Sequence, residues 1–311
     1  MTDHPKDPSR RAALECMLWA GSGLLWTVVG GVPRSALIDS AAAAEPGFSF
    51  AQISDSHIGF KSPINPDTPG TLKAGLDLVT AGKRPALMLH TGDVSHLSTP
   101  AQFDVAEKLI AATGIATAYV PGEHDVLGDG GTRPFIARFQ KRMKQGNAGG
   151  AYYSFDQAGI HFVGLNNVSD LKAGGMGNLG AAQLAWLEAD LRGLSASTPI
   201  VLFAHIPLWV IYPQWGWGTD DSAQAMVLLR RFGSVTVLNG HIHQVMQKVE
   251  GHVGFHTARS TAFPQPAPGS APSPGPMKVE AGKLRSYLGV ASIAYVQGKA
   301  ALAIIDTPLG A

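Results

Sequence analysis

The chain has 311 residues, of which 45% are hydrophobic, enough for one large or two modest domains with a substantial core. Its 24 basic and 23 acidic residues give a formal net charge of +1, so it lacks a large basic field to bind nucleic acid by counterion release. Cys16 is the single cysteine, which excludes a disulfide framework and a cysteine-ligated zinc site. Any metal ion would therefore bind His, Asp, Glu or Asn side chains.

The first 44 residues have the order of an export signal. Ser9-Arg10-Arg11 follow a polar start, the apolar, Gly-rich run LWAGSGLLWTVVGG comes next, and alanines occupy positions 41 to 44. We therefore predict a twin-arginine signal peptide over residues 1–44, a mature domain over residues 45–311, and a periplasmic or secreted location. The alternative is a membrane-anchoring helix, but the run is interrupted by Gly and is shorter than the ~20 apolar residues that span a bilayer. No membrane span is predicted in the mature chain.

From Phe48 onward, short apolar runs alternate with segments whose apolar residues recur at helical spacing. The predicted strands are FSFAQIS, ALMLHTG, ATAYVPG, IHFVGLN, PIVLFAH and SVTVLNG, and the predicted helices are TLKAGLDLVTAG, PAQFDVAEKLIAATG, AAQLAWLEADLRGL and DSAQAMVLLRRFG. After residue 245 the candidates are the closely spaced strands HVGFHTA, GVASIAYVQG and AALAIID, with a Pro-rich loop over residues 264–276. This alternation predicts an α/β fold.

Titratable residues follow the ends of five predicted strands. In chain order they are Asp55 and His57, then Asp93, then Glu123, His124 and Asp125, then His205, and finally His241 and His243. Because ligands of open α/β sheets bind beyond the carboxyl ends of strands, we expect these side chains to gather at one edge. D-x-H and H-x-H each place two side chains on the same side of an extended backbone, as one metal ion requires. The set suits Zn, Mn, Fe or a pair of ions, and it is too large for one tetrahedral ion.

The series DSH, GDV, GEHD, AHIP and GHIH, from Asp55 to His243, resembles the motif series of the calcineurin-like metallophosphoesterases: DxH, GDx, GN-H-D/E, H and GHxH. The stretch GNLGAAQLAWLEADL also resembles a helix common in bacterial members. The resemblance implies a two-sheet sandwich flanked by helices, a four-layer αββα fold. It also implies a dinuclear metal-dependent phosphatase or phosphodiesterase.

Carried over position by position, the resemblance implies that one metal ion is held by Asp55, His57, Asp93 and His243. Asp93 would bridge to a second ion, held by Glu123, His205 and His241. The cofactors would be two divalent or trivalent ions of Mn, Fe, Zn or Co, with a bridging hydroxide that attacks phosphorus. His124 would face the phosphate and donate a proton to the leaving group, and Asp125 would orient the His124 ring.

Glu123 departs from the family pattern, which usually has Asn at this position. A carboxylate adds a full negative charge, so we expect the second ion to bind more tightly and to be a weaker Lewis acid towards phosphate. In the alternative interpretation, Glu123 turns to solvent and the second site is lost.

The predicted substrate is a small phosphomonoester or phosphodiester. A nuclease on the same scaffold is one alternative, which the near-neutral net charge disfavours. The other is a non-catalytic protein that binds metal or a partner. The sequence makes no prediction of oligomeric state.

Other residues have less specific patterns. His90 is predicted to be a core residue or to lie beside the ligands, and His96 either lies beside the ligands or faces solvent in a loop. His161, His252 and His256 are predicted to be structural, and GGMGNLG at residues 174–180 to be a flexible linker. The aromatic stretch LWVIYPQWGWGTDD either forms a wall of the site or packs against its own sheet.

Overall fold

The computed structural model describes residues 18–20, 24–29, 32–37, 47–140, 150–295 and 302–310. The chain divides into two compact units, Met1–Pro46 and Gly47–Ala311. In the first unit the described strands are β1 (Leu18–Ala20), β2 (Leu24–Val29) and β3 (Val32–Leu37), which pair antiparallel in that order. The predicted export signal falls on this unit, and its arginine pair and the alanines at positions 41 to 44 lie outside the described residues. The signal therefore stays a prediction.

The second unit contains a five-stranded sheet in the order β14-β13-β4-β5-β6. Strands β4, β5 and β6 run parallel, and β13 pairs antiparallel with both β4 and β14. The parallel strands are joined through helices, as parallel pairing requires a long crossover connection. Their bounds are β4 (Phe48–Ile53), β5 (Leu87–His90), β6 (Thr117–Tyr119), β13 (Gly289–Tyr295) and β14 (Ala303–Pro308).

A six-stranded sheet in the order β11-β12-β10-β9-β8-β7 forms the other half of this unit. The four central strands β12, β10, β9 and β8 are parallel, and an antiparallel strand lies at each edge. The bounds are β7 (Tyr153–Gln157), β8 (Ile160–Gly164), β9 (Ile200–Phe203), β10 (Val235–Asn239), β11 (Gln247–Glu250) and β12 (Val253–Thr257).

The two sheets face each other across a shared apolar core. Phe50 and Leu89 from the five-stranded sheet pack in one buried cluster with Phe162 and Phe203 from the six-stranded sheet. Alternate residues of the same strands, such as Ile53, point to the opposite face and pack in a different cluster. Because successive side chains of a strand alternate in direction, a strand buried on both faces appears in sequence as a continuous apolar run.

Helices cover the outer face of each sheet. Buried residues of α1, α2 and α3 pack on the five-stranded sheet, and those of α4 and α5 pack on the six-stranded sheet. Their bounds are α1 (Thr68–Ala81), α2 (Pro100–Ala112), α3 (Arg133–Phe139), α4 (Gly180–Leu191) and α5 (Ser222–Leu229), with a short α6 (Leu284–Tyr287) near the end. Among the described residues, no helix has both the length and the apolar character needed to cross a bilayer. The predicted two-sheet sandwich with flanking helices is confirmed.

Candidate metal centre

The loops after five strands bring the predicted site residues together. Three of these strands belong to one sheet and two to the other, and parallel pairing within each sheet places their carboxyl ends side by side. The residues are Asp55 and His57 after β4, Asp93 after β5, Glu123, His124 and Asp125 after β6, His205 after β9, and His241 and His243 after β10.

Asp55, His57 and His243 form the first group of potential ligands, with ligand atoms within 4.8 Å of one another. Nε2 of His243 lies 3.3 Å from Oδ1 of Asp55 and 3.2 Å from Nε2 of His57. All three residues are buried. The group could supply one carboxylate and two imidazole ligands, a set that Zn, Mn and Fe accept.

Glu123, His205 and His241 form the second group. The Glu123 carboxylate lies between the two imidazoles, with Oε2 2.9 Å from Nε2 of His205 and Oε1 3.0 Å from Nδ1 of His241. The alternative in which Glu123 turns to solvent is therefore not adopted. The side chain is turned inward because the turn that it begins, the 3₁₀ segment Glu123–Asp125, directs it towards the ends of the six-stranded sheet's strands.

Asp93 lies between the two groups. Its Oδ2 is 3.4 Å from Nε2 of His57 in the first group and 3.4 Å from Nε2 of His205 in the second. The other carboxylate oxygen, Oδ1, accepts a hydrogen bond from the backbone N–H of His124 at 3.0 Å. One carboxylate is therefore within reach of both groups.

Five of these residues have a left-handed backbone, which costs about 1–3 kcal/mol at a position other than glycine and persists where surrounding structure enforces it. The positive φ values are 52° at Asp55, 41° at His57, 52° at Asp93, 70° at His241 and 56° at His243. Gly240 allows the backbone before His241 to approach closely, since a Cβ there would lie 2.6 Å from Oδ2 of Asp55.

Hydrogen bonds from Nδ1 fix the orientation of two imidazoles of the cluster. Nδ1 of His205 donates to the Thr91 carbonyl at 2.7 Å, and Nδ1 of His243 donates to the Phe263 carbonyl at 2.6 Å. With the proton on Nδ1, each ring directs the lone pair of Nε2 into the site.

The donor atoms of the second group fit a cation. Oε2 of Glu123 and Nε2 of His205 are buried without a hydrogen-bond partner. Although Oε2 of Glu123 and Nε2 of His205 are 2.9 Å apart, both act as acceptors when the His205 proton is on Nδ1. Two buried acceptors facing one another are unfavourable unless a positive charge lies between them, so these residues fit a metal ion.

The pKa shifts within the cluster also favour a positive charge at this position. Burial alone would raise the pKa of Asp55 and of Glu123, but the facing imidazoles outweigh burial and lower both pKa values. Burial would lower the pKa of His205, yet the carboxylates of Asp93 and Glu123 raise this pKa well above its ordinary value. The carboxylates therefore stabilise positive charge at this position, whether as a proton or as a metal ion.

His124 lies beside the cluster and is half-buried. Its Nδ1 donates to the His96 carbonyl at 2.8 Å, which leaves Nε2 free to face a substrate. Burial lowers the pKa of His124, but Asp93, Glu123 and the hydrogen bond to the His96 carbonyl outweigh it and raise the pKa. The ring is therefore suited to hold a proton near neutral pH.

The prediction that Asp125 orients the His124 ring is wrong, because the His96 carbonyl holds that ring. Asp125 instead ties the loops after β5 and β6 together: its carboxylate accepts hydrogen bonds from the backbone N–H groups of Val94, Ser95 and Gly122 and from the Ser95 hydroxyl. Burial and the nearby Asp93 charge raise the pKa of Asp125 to about 7, although the hydrogen bonds act to lower it.

The remaining histidines divide between the neighbourhood of the site and the rest of the molecule. His90 is buried with Nε2 2.9 Å from the Ser56 hydroxyl, and burial lowers the pKa of His90 to about 3. His96 lies beside the ligands, as one of its two interpretations held. The others have structural contacts: His161 with Asp156 and Asp190, His256 with Asp306, and His252 with the Leu229 carbonyl.

The aromatic stretch after His205 packs inward. Trp215 and Trp217 are buried against Ile242, the residue between His241 and His243. This segment therefore supports the ligand loop through packing. GGMGNLG, predicted to be a flexible linker, is paired with this segment, because the Gly177 N–H donates to the Gly218 carbonyl at 2.9 Å.

The start of the Pro-rich loop was not predicted to contribute to the site. The Phe263 ring centroid lies 4.5 Å from that of His243, and the Gln265 amide donates to the His241 carbonyl at 3.0 Å. A single aromatic residue before PQP is the sequence signal, and nothing in its spacing indicates a partner 20 or more residues away along the chain.

Comparison with known proteins gives concordant matches. The family model described as calcineurin-like phosphoesterase matches residues 48–245. A 3′,5′-cyclic-nucleotide phosphodiesterase from Nostoc sp. is 28% identical over 225 residues, 69% of this chain and 79% of the relative. A dimetal phosphatase from Danio rerio has a similar fold, with a TM-score of 0.65, 15% identity, and coverage of 85% of this chain and 97% of that one. A purple acid phosphatase from yellow lupin seeds has a TM-score of 0.57 and 12% identity, covering 92% of this chain and 57% of that one.

Proposed function

Since this chain belongs to the calcineurin-like phosphoesterase family and is a metal-dependent hydrolase of phosphate esters, we propose that it prefers phosphodiesters, with 3′,5′-cyclic nucleotides as the leading substrate class. The observation on which the proposal depends is the convergence of three carboxylates and four imidazoles at the strand ends of both sheets. The cyclic-nucleotide phosphodiesterase that is 28% identical supports the substrate class.

The proposal places two metal ions in the cluster. Asp55, His57 and His243 would hold one, Glu123, His205 and His241 would hold the other, and Asp93 would contact both. When bound, such ions supply Lewis-acid stabilisation of the phosphate charge and activate water at neutral pH. Mn, Fe, Zn and Co all accept this mixed nitrogen and oxygen set.

His124 is the proposed proton donor. Its Nε2 is free, its Nδ1 is held by the His96 carbonyl, and its pKa is raised, so the ring can stay protonated beside a bound phosphate. In this role it binds an oxygen of the phosphate group and transfers its proton to the leaving alkoxide as the ester bond breaks.

The charge of the cluster favours a diester over a monoester. A phosphodiester bears one negative charge at neutral pH and a monoester bears close to two. Glu123 adds a third carboxylate to those of Asp55 and Asp93, and each additional negative charge repels a dianion more than a monoanion. A nuclease activity is disfavoured by the formal net charge of +1.

Hydrolysis by metal-stripped protein reloaded separately with Mn, Fe, Zn or Co tests the proposal. The substrates are a nitrophenyl monoester, a nitrophenyl diester and 3′,5′-cyclic AMP. We expect activity to return with metal, to be higher for the diesters, and to fall about 10²- to 10⁴-fold in His124→Ala. Tight metal binding without turnover of any ester would instead support a non-catalytic metal-binding protein.

We also propose that the protein is exported through the twin-arginine route to the periplasm or beyond. Arg10 and Arg11, the apolar run after them and the small residues at positions 41 to 44 support this location. Arg10→Lys combined with Arg11→Lys should leave the full-length chain in the cytoplasm, whereas wild type should yield a shortened chain in the periplasmic fraction. Equal export of both chains would refute the route.

A further inference from the structure

The imidazole of His57 is held differently from those of His205 and His243, the other two rings that direct Nε2 into the cluster. Nδ1 of His205 and Nδ1 of His243 donate to backbone carbonyls. Nδ1 of His57 has no such carbonyl partner in the described part of the chain, and it lies 3.3 Å from Nδ1 of His96. The side chain of His96 therefore occupies the place that a backbone oxygen fills for the other two rings.

We propose that His96 is a positioning residue, which accepts a hydrogen bond from Nδ1 of His57 and so directs Nε2 of His57 at the metal. The inference rests on the proposed metal site. A neutral imidazole that binds a metal through Nε2 has its proton on Nδ1, and a partner for that proton fixes both the tautomer and the plane of the ring. Nδ1 of His96 then acts as the acceptor, and the proton of the His96 ring lies on Nε2.

His96 also forms a group of three imidazoles with His57 and His124, but it lies away from the first group of ligands. Nε2 of His57 faces Asp93 at 3.4 Å and His243 at 3.2 Å, on the side of the ring where the first group converges. His96 approaches Nδ1, the other nitrogen of that ring. It is therefore placed behind the ligand and not in front of it.

The surroundings of His96 hold its ring in place. The ring stacks on that of His124, with centroids 4.7 Å apart and an angle of 17°, and the Phe60 ring meets its edge at 5.2 Å. The His96 backbone N–H donates to the Ile58 carbonyl at 3.0 Å, one residue beyond His57. The His96 carbonyl accepts from Nδ1 of His124. One residue thus contacts a metal ligand through its side chain and the proton donor through its backbone.

Two substitutions separate the hydrogen bond from the stacking. His96→Asn keeps an acceptor close to the position of Nδ1 but removes the aromatic ring, whereas His96→Phe keeps a ring to stack on His124 but has no acceptor. Both keep the backbone carbonyl that holds His124. A matched control is His252→Asn, a histidine whose contact is with the distant Leu229 carbonyl.

The measurement is the dissociation constant of Zn and of Mn for each full-length variant, determined by competition with a chelator. We expect His96→Phe to bind metal roughly 10- to 100-fold more weakly, with His96→Asn and the control close to wild type. Thermal unfolding of each metal-free protein is measured alongside the dissociation constants, because it shows whether a variant has a folding defect.

Equal metal affinity in His96→Phe and wild type would overturn the proposal. The proposal would also be overturned if both His96 variants lost metal affinity equally and lost the same amount of thermal stability in the metal-free form. That pattern would indicate that His96 contributes packing alone. Metal affinity is measured without any ester, so absence of phosphodiesterase activity would refute the proposed substrate class and leave this inference standing.

Discussion

At the scale of single residues, Glu123 adds a third carboxylate to a cluster that contains Asp55 and Asp93. Replacing it with a neutral ligand, Glu123→Asn, removes one negative charge from the cluster where the phosphate is proposed to bind. A monoester dianion should benefit more than a diester monoanion, so the ratio of kcat/KM for monoester to diester should rise about tenfold, which corresponds to about 1.4 kcal/mol. The nitrophenyl monoester and diester, assayed with saturating metal, provide the measurement.

Glu123→Gln serves as the matched control because it removes the same charge and keeps the side-chain length. If charge determines the preference, both variants shift the ratio in the same direction, and metal affinity falls in both because a neutral ligand replaces an anionic one. A ratio that stays constant in both variants would show that the negative charge of Glu123 does not select the substrate.

The contacts of His161 lead us to expect that the stability of the protein depends on pH for a reason separate from the metal cluster. Burial lowers its pKa, but hydrogen bonds to Asp190 and Asp156 outweigh burial and raise it. A pKa raised on folding stabilises the protein fully below the unfolded value of about 6.5, and this stabilisation is lost as pH rises through the folded value. Hence the His161→Gln substitution should lower the free energy of unfolding by about 1–3 kcal/mol more at pH 6 than at pH 9.

Urea unfolding of wild type and His161→Gln at both pH values, with metal saturating, gives that difference. Effects of pH on the metal cluster are common to both proteins and cancel in the comparison. A gap in unfolding free energy that is the same at pH 6 and pH 9 would mean that His161 is held as a neutral ring.

At the scale of elements, the strands that precede the site were predictable because burial on both faces makes them continuous apolar runs. Helix α2 was predictable from the Thr99 cap and Pro100, since its start matches the predicted segment. Strand β11 (Gln247–Glu250) was missed because all four residues are exposed at a sheet edge and give no apolar signal. Strand β7 was missed for a related reason, because its last two residues are polar and Asp156 is exposed, which shortens its apolar run.

The segment after β9 leads to a prediction about support of the ligand loop. Trp217 is fully buried against Ile242, which lies between His241 and His243. Trp217→Ala should destabilise the protein by about 3–5 kcal/mol and should also weaken metal binding, because the cavity frees the loop that holds two ligands. Thermal unfolding and chelator competition measure the two effects.

Val210→Ala provides the control within the same segment. This side chain is 53% exposed, so its loss should change stability by no more than about 0.5 kcal/mol and leave metal affinity unchanged. Destabilisation by Trp217→Ala with wild-type metal affinity would contradict the supporting role, since the segment would then contribute only to folding.

At the scale of the whole molecule, the gathering of the site residues was predictable from sequence because each of them follows a strand whose end could be located. The orientation of polar side chains was not accessible. Asp125 bonds to backbone N–H groups after β5 because the 3₁₀ turn Glu123–Asp125 points it there, and such a turn depends on contacts between distant segments. The link from His243 to the Phe263 carbonyl likewise joins two loops that no local pattern relates.

The cluster draws ligands from both sheets, so metal binding should stabilise the sandwich as a whole. Asp55, Asp93 and Glu123 follow strands of the five-stranded sheet, and His205 and His241 follow strands of the six-stranded sheet. Metal that binds only the folded chain stabilises it by about 2.7 kcal/mol at a free concentration of 100 times Kd. Removing the metal should therefore lower Tm, and the midpoint should rise again with added Zn or Mn. Scanning calorimetry with and without chelator measures the shift.

A variant that lacks one ligand of each group is the control for that shift. Asp55→Asn combined with His205→Ala removes the carboxylate of the first group and one imidazole of the second, and its Tm should not respond to chelator. A chelator-sensitive Tm in the double variant would place the stabilising metal elsewhere in the chain.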